Sequence, residues 1–452
     1  MSNTLGDPEM KLIPLLTILF TLSTAAYYPP DRNSLQGKVV FGYQGWYKTG
    51  PYDNSWFHWF DASPSNKSFD SDFWPDTTEY PAECLASSGF NFTDGRPAKL
   101  YSNSCPGTVD THFRWLYEYG LDCFFLQRFY TVTKQSKAAT TPLVSLVMKS
   151  AEKWNRTFVI EYDLSGGGEN STFSYITQDW NYLVSNLSIL NSPAYQHHNG
   201  KPVVELWGIG VRTSLSPNLT YSLVSWFQSQ GCYVIQGVDK SWTYNTSGPY
   251  YPTYLLGDVI QPWMVGVYWN SIVNSYLSRS GTVGDMATIR NRNLTLQYSS
   301  VIFPGTTASN RGHAAGATIN QAPFTRDNGT FFTRQAAIVS AQKPLFIFVA
   351  MFDEISEGTQ VYKTIAKKKD VPTNVRLVAY DSEGGDFSND YYLVLSNNIT
   401  RNFRNVWNVP YEYQPNVTTS ASATATSASA TTTSASATAT SVLQGEEADF
   451  VI

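Results

Sequence analysis

Short, nearly continuous apolar runs recur along the chain, separated by stretches in which apolar residues fall at helical spacing. The runs Val39–Trp46, Cys123–Phe129, Phe158–Tyr162, Val203–Trp207, Tyr233–Gly237, Val259–Met264, Ser300–Phe303 and Leu345–Met351 read as strands. They lack the in–out alternation of a half-exposed sheet, so both faces are expected to be buried, as in a parallel sheet. Helical spacing falls between them, over Thr108–Tyr119, Leu143–Trp154, Ser174–Leu187, Leu219–Gln228, Val283–Leu296 and Phe332–Ala341. Eight such strands predict a (β/α)8 barrel in one domain, residues 27–410, with long loop insertions. The segment Thr49–Thr108 is the largest insertion, and Val375–Tyr380 is a further apolar run that either lies outside the barrel or replaces a weak strand. No internal repeat is evident.

The strands end in polar or amphipathic residues: Gln44 and Trp46, Gln127 and Arg128, Asp163, Trp207, Trp263, then Asp353 and Glu354. A parallel barrel delivers all its C-terminal strand ends to one face. These groups are therefore expected to converge on one pocket, with Gln44, Trp46, Asp163, Trp207, Trp263 and Asp353 contacting a ligand.

Composition narrows the ligand. Of 452 residues, 42% are apolar and only 15% charged, and aromatic residues make up another 15%. So few charges among so many rings exclude a charged coiled coil and a generally disordered chain. A net charge of −5 argues against nucleic acid, whose phosphates require a positive field. A weakly charged, ring-rich surface suits a carbohydrate, held by stacking and hydrogen bonds.

The ends of the chain point to export. Lys11, the apolar stretch Leu12–Leu22 and the small residues Ser23, Ala25 and Ala26 read as a signal peptide over residues 1–26, with Met10 as the expected start. No later run is long and apolar enough for a membrane helix. Asn-x-Ser/Thr sites occur at Asn66, Asn91, Asn155, Asn170, Asn186, Asn218, Asn245, Asn293, Asn328, Asn398 and Asn416. Residues 411–452 include an uncharged Ser/Thr/Ala tract with too little apolar surface to fold, and read as an O-glycosylated tail. A secreted or wall-associated monomer is expected. Of the four cysteines, Cys84 and Cys105 share a turn-rich segment and are the expected bridge, while Cys123 and Cys232 lie in apolar runs.

The densest chemistry is in FVAMFDEISEGT, Phe348–Thr359, where an apolar strand runs into Asp353, Glu354 and Glu357. In a helical turn, residues three apart lie about 5–6 Å from each other. That spacing suits Glu354 and Glu357 as the two carboxyls of a retaining glycosidase, about 5–5.5 Å apart. The competing reading is a solvated acidic helix start.

Several motifs appear in a familiar order: FGYQGWY (Phe41–Tyr47), WFHWF (Trp56–Phe60), DFWPDTTEY (Asp72–Tyr80), TVDTHFRWLYEYGLD (Thr108–Asp122), FLQRF (Phe125–Phe129), IEYDLSG (Ile160–Gly166), VIQPWMVG (Val259–Gly266), VIFPG (Val301–Gly305) and MFDEISEGT. Together, over about residues 38–405, they resemble the glycoside hydrolase family 71/99-like group, in its fungal secreted members. That group is related to the family 99 endo-α-mannosidases and endo-α-mannanases, and more distantly to the family 71 α-1,3-glucanases. The resemblance implies a (β/α)8 barrel, hydrolysis with retention, and no cofactor. It also implies that Glu354 is a general base acting on the sugar 2-hydroxyl to give a 1,2-anhydro sugar. Glu357 would then protonate the leaving oxygen and later activate water. Asp353 stands where the family has Asn, and Ile355 where it has Trp, which affects the subsite beside the acid. A family 71-like glucanase and a non-catalytic carbohydrate-binding or wall protein on the same barrel are the alternatives.

Secondary candidates are Trp56, Trp59 and Trp242 as stacking platforms or core, Asp76 and Glu79 as cleft or turn residues, and His58 and His112 as structural groups. The pair His197–His198 lacks metal-ligand spacing, and neither a phosphate loop nor a G-x-S-x-G elbow occurs.

Overall fold

A computed structural model describes residues 30–60, 64–65, 68–168, 171–211, 215–268, 271–279, 281–307, 309–310 and 326–411. The expected signal peptide (1–26) and the tail from residue 412 lie outside the described residues, as do Asn66, Asn170 and Asn416.

The eight expected strands all form: β1 Lys38–Tyr43, β2 Cys123–Phe129, β3 Thr157–Asp163, β4 Lys201–Ile209, β5 Tyr233–Val238, β6 Val259–Pro262, β7 Gln297–Ile302 and β8 Phe346–Val349. Each pairs in parallel with its neighbour in sequence, and β8 pairs back onto β1, with Lys38 opposite Phe346 and Phe41 opposite Val349. The sheet is a closed (β/α)8 barrel. Its strands are buried on both faces because side chains alternate between the barrel interior and the surrounding helices.

The helices are α1 Pro106–Glu118, α2 Lys137–Lys153, α3 Thr172–Ser185, α4 Pro217–Ser229, α5 Val273–Arg279, α6 Thr282–Asn291, α7 Thr330–Ser340 and α8 Tyr391–Val406. Their starts follow local chemistry. In α4, Pro217 occupies the first turn and the Ser216 side chain accepts from the Leu219 amide. Between β5 and β6 only the single turn Tyr251–Tyr254 forms, and α5 and α6 both precede β7. No helix among the described residues is long and apolar enough to cross a membrane.

Two expected boundaries move for physical reasons. The first strand stops at Tyr43 rather than Trp46, because the amides of Gln44 and Gly45 turn to the Asp353 carboxylate and leave the ladder. The helix expected over Val283–Leu296 ends at Asn291, where Arg292 closes the last turn and Asn293 has a left-handed φ of 51°.

The first insertion carries a hairpin, Leu85–Asn91 with Pro97–Tyr101, tied to the start of α1 by a Cys84–Cys105 disulfide. Cys123 and Cys232 are buried thiols. The run Val375–Tyr380 forms no strand; the Val378 amide bonds the Asp72 carbonyl, fastening this run to the insertion. Helix α8, which the sequence pattern did not reveal, sits beside β1 and is anchored by a buried ion pair from Arg404 to Asp122.

Candidate active site

Beyond β8 the chain does not enter a helix. Residues Ile355–Gly358 form a turn, closed by Gly358 N–H to the Ile355 carbonyl (3.1 Å) and Thr359 N–H to the Glu354 carbonyl (3.1 Å). Gly358 takes φ 66°, and a side chain there would meet the Thr307 backbone at 2.6 Å. The helical-turn geometry expected for Glu354 and Glu357 is therefore replaced by a loop that other strands hold in place. Thr307 N–H bonds the Glu357 carbonyl at 2.9 Å. One guanidinium nitrogen of Arg326 bonds the carbonyls of Gly358 and Gln360, both at 2.7 Å.

Glu354 is buried, at 2% exposure, whereas Glu357 on the same turn is half-buried. Glu354 Oε1 accepts the Tyr47 hydroxyl at 3.1 Å and a short hydrogen bond from the Ser356 hydroxyl. The Tyr47 oxygen itself accepts the amides of Ile355 and Ser356, both at 3.2 Å, so its proton is left for the carboxylate. Burial, and next the Glu354 charge, hold the Tyr47 phenol well above its usual range, so it stays a donor. Two hydroxyl donors on one oxygen favour the ionised carboxylate. The arrangement suits a base.

Asp353 is fully buried and spends both oxygens on backbone, accepting Gln44 N–H at 2.8 Å and Gly45 N–H at 2.9 Å. Burial pushes its pKa up to about 7, against the pull of those amides. Asp353 thus ties the β8 loop to the end of β1, and through it to Tyr47. Asp163, at the end of β3, accepts from Gln127 at 3.2 Å and from the Ser165 amide at 2.7 Å, with burial raising its pKa to about 6.

The tryptophans divide. Trp207 and Trp263 meet edge to face at 5.1 Å, and Trp263 leans on Phe348 at 6.3 Å. Their indole N–H groups have no hydrogen-bond partner among the described residues. Gly237 makes room for Trp207, since a side chain there would lie 2.6 Å from its ring. Trp46 instead stacks on His58 at 3.7 Å and Phe129 at 5.1 Å, both within 17° of parallel, which leaves little free face for a sugar. Trp59 and Trp242 are buried core, and the Trp59 indole bonds the Tyr101 carbonyl.

The remaining candidates are structural. His112 is neutral, its pKa lowered to about 3 by burial, and lies between the hydroxyls of Tyr43 and Tyr80. Asp76 bonds Thr78 and Asn389, and Glu79 pairs with Arg114 and Lys363. No group of three or more metal-binding side chains occurs among the described residues.

Sequence reasoning missed Tyr47 and Ser356, and also a carboxyl pair inside the barrel. Glu161 on β3 stands in register with Glu205 on β4, and both are fully buried. Gln261 donates to Glu205 at 2.5 Å and accepts from Ser299 at 2.8 Å. Neither Glu161 oxygen has a partner among the described residues. Burial raises both pKa values well above the carboxylate range, with the Glu205 and Asp163 charges adding to this for Glu161 and the Asp163 charge for Glu205. The signal was legible: Glu161 and Glu205 each interrupt an apolar run, FVIEY and VVELW.

No protein-family model and no curated protein sequence matches the chain. Among solved structures, it is similar to the family 99 endo-α-mannosidase of Bacteroides thetaiotaomicron. In its complex with BIS-TRIS-propane that enzyme superposes with a TM-score of 0.60 at 15% identity, over 83% of this chain and 99% of the neighbour. A second structure of the same enzyme gives 0.59 at 14% identity, over 83% and 100%. At this identity the likeness is one of fold.

Proposed function

We propose that the protein is a retaining glycoside hydrolase acting on an α-linked polysaccharide or oligosaccharide, with Glu354 as base and Glu357 as acid. One observation carries the reading. Glu354, at the C-terminal mouth of a (β/α)8 barrel, is held by two hydroxyl donors on a turn that also bears a more exposed carboxyl. A carboxylate held in place by two hydroxyl donors can accept a proton, while the half-buried Glu357 can reach a leaving group and then water. In the reaction, Glu354 takes the proton of the sugar 2-hydroxyl and O2 closes onto C1. The C1–O bond to the leaving group breaks as Glu357 supplies its proton. Water then opens the anhydro ring at C1, giving a proton to Glu357 while O2 recovers its own from Glu354. The fold and the ordered motifs favour a mannan-type substrate, with an α-1,3-glucan as the alternative.

Secretion belongs to the same reading. Asn91, Asn155, Asn186, Asn218, Asn245 and Asn293 are all exposed, as glycosylation there requires.

The test is hydrolysis of a panel of α-mannans and α-glucans by wild type, Glu354→Gln and Glu357→Gln. General acid–base assistance is worth about 10²–10⁴-fold, so each variant should lose activity on that scale with an unchanged melting temperature. Glu357→Gln should recover most on activated aryl glycosides. Near-normal turnover in both variants would sink the assignment.

A further inference from the structure

A cavity of about 290 Å³, close to the lower end of the range for small-molecule sites, adjoins the turn that carries Glu357. Two of its lining residues hold that turn. The Thr307 amide bonds the Glu357 carbonyl, and Arg326 bonds the carbonyls of Gly358 and Gln360. The facing walls come from residues 376–383 and from Phe387, Tyr391 and Tyr392, where α8 begins. The cavity opens to solvent beside Arg376, Ser382 and Glu383, which are exposed.

Arg326 is buried, at 5% exposure. One of its nitrogens serves the two carbonyls, while Nε and Nη1 have no hydrogen-bond partner among the described residues. Its Cζ lies 4.3 Å from the Tyr392 ring centre, 5.0 Å from that of Phe73 and 5.5 Å from that of Tyr380. Glu383 is the acidic side chain in the cavity wall, but both its oxygens are spent on backbone. They accept the Arg326 amide at 3.0 Å and the Asn328 amide at 3.1 Å. Rings and carbonyls offset part of the cost of burying a cation, and a paired anion would offset more. A second cation, Arg376, stands at the rim, and its guanidinium has no partner among the described residues. Two cations against one spent carboxylate favour an anion. The space exceeds what an inorganic anion fills, and Tyr380, Phe387 and Tyr391 give it a wall suited to a ring.

We propose that this cavity binds a small organic carboxylate, a single ring bearing a carboxyl group, whose charge pairs with Arg326 and Arg376 while the ring packs on the aromatic wall. Because Arg326 carries the Gly358 and Gln360 carbonyls, an occupant should also steady the turn that bears Glu357. Binding there requires no hydrolysis, so it stands independently of the hydrolase reading. For a ligand of about a dozen heavy atoms, Kd should be about 1 mM.

The experiment is isothermal titration of the full-length protein with glucuronate and benzoate, each beside its uncharged amide, glucuronamide and benzamide. At least one acid should bind, about tenfold or more tighter than its amide. On saturation, hydrogen exchange should slow at the Gly358 and Thr359 amides. Arg326→Gln should abolish both the binding and this protection. Arg376→Glu, at an exposed position, should weaken binding about tenfold while melting with the wild type. Equal affinity for acid and amide, or an unchanged acid affinity in Arg376→Glu, overturns the proposal. Glu354→Gln separates this site from the barrel mouth: it should abolish hydrolysis and keep the carboxylate affinity. Loss of that affinity in Glu354→Gln would put the ligand at the mouth and overturn the proposal. A wild type that hydrolyses nothing but binds the acid would refute the enzyme assignment and leave the carboxylate site standing.

Discussion

The Tyr47 hydroxyl donates to Glu354 at 3.1 Å, bridging the loop after β1 to the loop after β8 across 307 residues of sequence. The same oxygen accepts two amides of the Glu354 turn. One phenol therefore sets both the position of the carboxylate and its preference for the ionised form.

Tyr47→Phe should show both effects. A hydrogen bond to a charged group is worth about 1.5–3 kcal/mol, so kcat/KM should fall about 10–100-fold. Without the donor the Glu354 pKa rises, and the acid limb of the pH–rate profile should move to higher pH. Loss of activity with an unmoved acid limb would mean Tyr47 serves only as a spacer.

Asp353→Asn tests the link between β8 and β1. An amide presents its NH2 to one of two N–H donors it cannot accept, leaving that donor buried and unpaired. The expected cost is about 1–3 kcal/mol in denaturant unfolding, together with reduced turnover through Tyr47. Wild-type stability would show that the loops hold without the carboxylate.

The Glu161–Glu205 pair makes a prediction about pH. Both folded pKa values are raised, so the folded state keeps protons that the unfolded chain releases above about pH 4.5. The unfolded state binds fewer protons there, so this pair costs stability as pH rises through that value and beyond. Glu161→Gln removes the charge from a carboxyl without hydrogen-bond partners among the described residues. The variant should therefore melt higher than wild type at pH 8, with the gap closing toward pH 4. A gap that is absent or widens on acidification would contradict the assignment.

The Cys84–Cys105 bridge closes a loop spanning 21 residues of sequence, for which chain entropy predicts about 3 kcal/mol. Cys84→Ser with Cys105→Ser should lower stability by about that amount and loosen the first insertion, read as faster proteolysis between them. Peptide mapping without reductant that found both as free thiols would refute the bridge.

The chain's own pattern determined the barrel. Eight apolar runs without alternation can only be strands buried on both faces, and helical spacing between them fixes parallel connections, because parallel neighbours need a crossover. It also located Glu354 and Glu357, since carboxylates directly after a barrel strand must emerge at its C-terminal face. Local pattern could not show which groups share that face closely enough to set a charge. Tyr47 read as one more aromatic, Asp353 as a ligand contact and Trp46 as a platform; only closure of β8 onto β1 made them a lever, a tie and a stacked filler. Glu161 and Glu205 looked like isolated polar interruptions until the β3–β4 register set them side by side. Periodicity along a chain records burial, but proximity between carboxyls depends on which strands meet and in what register, and tertiary structure decides that.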